Sequence, residues 1–95
     1  MNLTRELFSD KVGQTWVIDE PGATAIEFTL TDVEALRNYA KSEREPFALS
    51  FTTRGNFVLP QRTYGLRHAS LGAMAIFLVP VGREGDVTTY EAVFN

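Results

Sequence analysis

Apolar and polar residues alternate with a period of two through most of this chain, and that period predicts strands. Trp16 and Ile18 share one side of the segment Gln14 to Asp19, and Glu20-Pro21-Gly22 follows as a turn whose proline and glycine suit its two special dihedral angles. Ile26, Phe28 and Leu30 repeat the period. A strand is expected through Leu30 and beyond, although Asp32, Val33, Leu36 and Tyr39 also fit a helical turn capped at Thr31 or Asp32. Lys41 to Pro46 is charged and reads as a surface loop, after which Phe47, Leu49 and Phe51 alternate with Ala48, Ser50 and Thr52 until Gly55-Asn56 breaks the strand. Only the start departs from this period: Thr4 reads as an N-cap, and Leu7, Phe8 and Val12 fall near one helical face before Gly13.

Three strands are expected in the last third, at Thr63 to His68, Ala73 to Val81 and Val87 to Phe94, separated by Ala69 to Gly72 and by Gly82 to Asp86. Such short links imply antiparallel neighbours. Phe77 to Pro80 is apolar at every position, which predicts a central strand covered on both faces, with Pro80 placed where ladder bonds run out. Trp16, Phe28, Phe47, Phe51, Phe77, Tyr90 and Phe94 are the expected aromatic core.

The same region carries a recognisable signature: Leu59-Pro60-Gln61, Thr63-Tyr64, His68, Leu71-Gly72, Phe77-Leu78-Val79-Pro80-Val81-Gly82 and Tyr90-Glu91-Ala92-Val93-Phe94-Asn95. In these residues the chain resembles a small uncharacterised bacterial β-domain family, a domain of unknown function. The likeness extends from the Leu3 to Gln14 opening to Asn95 and is specific only in the last third. Gly65, Met74 and Ala75 depart from the family pattern, which bears on local packing. The resemblance implies no activity. It does imply a genomic setting, since members are often encoded beside proteins with a phage-tail-collar domain.

Ninety-five residues, 44% of them hydrophobic, suit one domain spanning 1 to 95 with one core. A net charge of −3, with nine Lys and Arg scattered apart from Arg62 and Arg67, argues against nucleic acid, whose phosphates require a basic face. The absence of cysteine excludes disulfides, thiolate metal sites and cysteine nucleophiles. Neither a signal-like opening nor a membrane-length apolar run is present, so no membrane partner is expected and a cytoplasmic location is the default.

Few residues offer chemistry. His68 is the sole histidine, and Ser70 stands two residues on, but no Gly-x-Ser-x-Gly elbow accompanies them. A strand-end histidine bonded to the Ser70 turn or to backbone is the stronger reading. Asp19 with Glu20, Asp32 with Glu34, and Glu43 with Glu45 read as solvated surface acids. The glycines are single, so no phosphate loop forms, and the spacing of His, Asp and Glu matches no metal site. No catalytic residue, metal ligand or cofactor is therefore assigned. Phe57, Val58, Leu59 and Pro60, an apolar run between strands, are the candidate partner-binding residues, together with any open sheet edge.

These readings converge on an all-β fold, a small antiparallel barrel or sandwich of about six strands with one short N-terminal helix. The expected function is non-enzymatic: a binding or structural accessory, an assembly partner or chaperone of a tail-collar-like fibre protein. The alternative is a small-molecule or carbohydrate module at a barrel mouth built from Trp16, Tyr64 and His68. A hydrolase using His68 stands third.

Overall fold

The computed structural model describes residues 3–38, 41, 43 and 45–95. A short helix, α1 (Arg5–Ser9), precedes six strands: β1 (Thr15–Ile18), β2 (Glu27–Ala35), β3 (Phe47–Arg54), β4 (Arg62–His68), β5 (Gly72–Glu84) and β6 (Val87–Phe94). All pairings are antiparallel, and the order β1-β2-β3-β6-β5-β4 closes into a barrel through β1 and β4. The sandwich alternative is thereby set aside.

Thr4 caps α1 as its side-chain oxygen accepts from the Leu7 amide at 3.4 Å. The helix is shorter than the apolar spacing suggests. It ends at Ser9, a turn follows in which Gly13 takes a φ of +90°, and Val12 is left 49% exposed instead of facing the core. Phe8 is the residue that α1 buries: it lies against Trp16, Phe47 and Phe94 with ring centroids 5.9 to 6.2 Å apart and plugs one end of the barrel.

Period-two alternation places Trp16 and Ile18, Phe28 and Leu30, Leu49 and Phe51, Tyr64 and Leu66, Ile76 and Leu78, and Tyr90 and Ala92 inside. The turn after β1 is closed by the Ala23 amide donating to the Glu20 carbonyl, with Pro21 ahead of Gly22 at φ +75°. β2 continues to Ala35 past an irregularity between Leu30 and Asp32, so the strand reading of this stretch holds over the described residues. Tyr39, and part of the Lys41 to Pro46 connection, lie outside them.

The structure corrects the sequence reading of β5 in two respects. Phe77 is 48% exposed and faces outward, because a closed barrel has one interior and alternate residues of every strand must point away from it. The strand also runs on to Glu84, leaving a two-residue turn at Gly85-Asp86 with Gly85 at φ +62°. Pro80 sits at an irregularity in the β5–β6 ladder, two residues beyond the point where β4 stops pairing at Leu78, so its missing N–H interrupts no bond to β4.

Closure is reinforced by charge. Asp19 accepts from Arg67 at 2.6 Å and Glu20 from Arg62 at 2.8 Å, each acid leaving β1 and each arginine standing on β4. The second Glu20 oxygen accepts from the Gly65 amide at 2.7 Å. A Cβ at Gly65 would lie 3.1 Å from the Asp19 carbonyl oxygen and 3.3 Å from the Glu20 Cγ, so the glycine permits this close approach.

Candidate partner-binding site

The segment between β3 and β4 exposes its side chains and ties down its backbone. Phe57 is 37% exposed and Val58 51% exposed; Pro60 is also exposed, while Leu59 turns inward and packs against the core. The four candidate residues therefore divide into two outward apolar contacts, one anchor and one exposed proline.

The backbone is held from several directions. The Gly55 amide donates to the Asp86 carbonyl at 2.8 Å, and the Leu59 amide donates to the Tyr90 hydroxyl at 2.9 Å. The Tyr64 hydroxyl donates to the Pro60 carbonyl, and burial pushes that phenol above its ordinary pKa. Arg83 supplies a fork: Nη2 donates to the Gly55 carbonyl at 2.8 Å, and Nη1 donates to the Phe57 carbonyl at 2.9 Å and the Thr88 hydroxyl at 2.6 Å. The Phe57 ring lies over Gly55 so closely that a Cβ there would collide with it. A loop held in this way loses little conformational freedom when it meets a partner.

Phe57 also borders a groove of about 610 Å³ whose other walls include Val17, Ile26, Thr52, Arg54 and Val87. The lining mixes apolar surface with hydroxyls and an Arg54 guanidinium paired to Asp86 at 2.7 Å. Such a composition suits a polypeptide segment with both apolar and hydrogen-bonding groups.

The residues considered for other chemistries are placed elsewhere. Trp16, Tyr64 and His68 are each less than 5% exposed, so they form no open mouth. Trp16 lies against His68 with ring centroids 4.3 Å apart and ring planes tilted by 38°, whereas the Tyr64 hydroxyl reaches the Pro60 loop. The alternative small-ligand site thus loses its geometry. His68 Nδ1 accepts from the amides of Ser70 and Leu71, both at 3.1 Å, which leaves Nε2 protonated and donating to the Gln14 side-chain oxygen at 2.6 Å. The Ser70 hydroxyl is 3.2 Å from that same occupied Nδ1. A serine–histidine pair would need this nitrogen as its base and a carboxylate on the other; here an amide stands in the second position. Asp32 and Glu34 are exposed on β2, and Asp19 and Glu20 are committed to arginines. Among the described residues, no group of three or more His, Asp and Glu side chains gathers to hold a metal ion.

Sequence reasoning missed Arg83 and the Tyr90 hydroxyl. Both act on carbonyls and amides about thirty residues away, and backbone groups leave no mark in a residue pattern. An arginine two positions before Gly85-Asp86 reads only as turn polarity.

A family model described as "Domain of unknown function (DUF6916)" matches residues 3–94. The chain belongs to that family. No curated protein and no solved structure matches it. The family match covers the barrel, the Phe57 loop and Arg83 alike, so the pinned loop lies within the family's domain and is no appendage to it. Among the described residues no helix is long and apolar enough to cross a membrane, a statement that does not extend to strands.

Proposed function

We propose that the protein is a non-enzymatic binding module that recognises another protein chain through the Phe57–Pro60 loop and the groove beside it. One observation carries this reading: Phe57 and Val58 present apolar side chains to solvent from a backbone fixed by Arg83, Tyr90, Tyr64 and Asp86. Rigid apolar anchors of this kind supply most of the energy of a protein interface, and their rigidity lowers the entropic cost of association. A net charge of −3 disfavours nucleic acid as the partner. The resemblance to proteins encoded beside phage-tail-collar proteins supports a finer reading, in which the module is an assembly partner or chaperone of a collar-like fibre protein.

The test is co-purification with a co-encoded collar-domain protein. Phe57→Asp with Val58→Asp should abolish capture while leaving the melting temperature unchanged, since both side chains are exposed. Gly55→Ala should weaken capture too, because the new methyl displaces the Phe57 ring without entering the core. Undiminished capture by the double variant, or no capture by the unmodified chain at micromolar concentration, would overturn the proposal.

A further inference from the structure

Each of the six strands has a neighbour on both sides in the closed order, so the open sheet edge considered from the sequence is absent and a partner must be met by side chains. The groove beside Phe57 offers a floor for that contact. Val17 lies opposite Glu27, Thr29 opposite Thr52 and Arg54 opposite Val87, and period-two alternation turns all six outward while Trp16, Ile18, Phe28 and Phe51 fill the core. Phe57 borders this floor.

The charges of the lining do not cancel. The Arg54 guanidinium is committed to Asp86 at 2.7 Å, and Arg83, the other cation near the loop, donates to the Gly55 and Phe57 carbonyls and stands outside the lining. Glu27 is exposed and, among the described residues, makes no ion pair. The Thr53 hydroxyl donates to the Glu27 carbonyl at 2.7 Å, which fixes the backbone from which that carboxylate projects. Its negative charge is left for a ligand. We infer, resting on the binding reading above, that the groove takes an extended segment of the partner chain, with an apolar side chain seated against Phe57 and a lysine or arginine against Glu27. The threonines favour the extended form: their hydroxyls both donate and accept, which suits the free N–H and C=O groups of an extended segment, whereas a helix satisfies its own. An acidic segment would meet Glu27 with like charge.

The probe is a set of end-blocked six-residue peptides, each carrying a phenylalanine or leucine and one lysine, glutamine or glutamate at a scanned position, titrated with the full chain by fluorescence polarisation. Peptides of this length are too short to hold a helix in water, so their binding reports the extended form. The best lysine peptide should bind about threefold to fivefold more tightly than its glutamine counterpart, and the glutamate peptide more weakly than either. Glu27→Gln should erase the lysine preference and Glu27→Lys should transfer it to glutamate, with the melting temperature of both variants unchanged because the side chain is exposed. Glu27→Lys should also lose capture of the co-encoded protein. If that variant captures as well as the parent, or the peptides bind without regard to charge, the groove assignment falls while the Phe57 reading stands. If no peptide binds yet the parent captures its partner, the occupant is helical or folded, and the assignment again falls alone. Self-association of the parent that disappears in Glu27→Lys would give the groove to a second copy instead. Absence of both peptide binding and capture would end both readings.

Discussion

Arg83 donates to the Phe57 carbonyl at 2.9 Å from a residue 26 positions away, so the long second half of β5 reaches past its own hairpin to hold the loop between β3 and β4. The planar guanidinium spans the Gly55 and Phe57 carbonyls and the Thr88 hydroxyl at once, which a single ammonium cannot do. Arg83→Lys should therefore cost about 1 kcal/mol of stability, since the group is exposed. It should weaken partner capture more than that figure implies, through loss of loop order. Faster amide exchange at Leu59 in Arg83→Lys is the check; unchanged exchange with unchanged capture would show that the clamp is dispensable.

The C-terminal strand supplies Tyr90 and Ala92 to the core, and Phe94 stacks on Phe47 with centroids 4.7 Å apart and planes 6° from parallel. Phe94 is only partly buried, so Phe94→Ala should cost about 2 to 3 kcal/mol, below the usual range for a fully buried phenylalanine. Truncation after Thr89 is far more severe. It removes the partner of Phe47 to Phe51 on β3 and should leave no cooperative thermal transition.

The parts of this fold set by local chemistry were legible in the residue pattern. Trp16 and Ile18 alternate into the core, Pro21-Gly22 turns the chain as its dihedral angles require, and the last two hairpins fall between the strands expected. The parts set by closure were not. Phe77 reads as core until β1 and β4 join and leave it outside, because an apolar run carries no information on which of its faces the rest of the sheet will enclose. The site divides in the same way. Phe57 to Pro60 stood out as an apolar loop, whereas the bonds that stiffen it join side chains to backbone groups distant in sequence.

Gly65 and Glu20 form a tighter pair than either residue suggests. The carboxylate needs the bare glycine to reach its N–H, and the same carboxylate binds Arg62. Gly65→Ala should destabilise by about 1 to 3 kcal/mol, since the obstructing atom is a backbone oxygen that cannot rotate aside. Glu20→Ala should also destabilise, by leaving a part-buried amide without its acceptor. Because both changes break one contact, the double variant should lose less than the sum. A strictly additive double-mutant cycle would show that the two residues act apart.

His68 makes stability depend on pH in a stated direction. Burial, with the Lys11 ammonium as a second cause, holds its pKa below the ordinary imidazole value. The geometry explains why: a proton on Nδ1 would meet two amide hydrogens already pointing at it, from Ser70 and Leu71. The unfolded chain accepts that proton at about pH 6.5 while the folded chain still refuses it. Stability is therefore fully present above that pH, falls as the pH drops through it, and levels off only below the folded pKa. His68 is the sole histidine, so His68→Gln should flatten the melting temperature between about pH 7.5 and 5.5, where no other unperturbed side chain titrates. An equal slope in both proteins would assign the dependence elsewhere, and a parent stability that rises on acidification would contradict the neutral, amide-bonded imidazole itself.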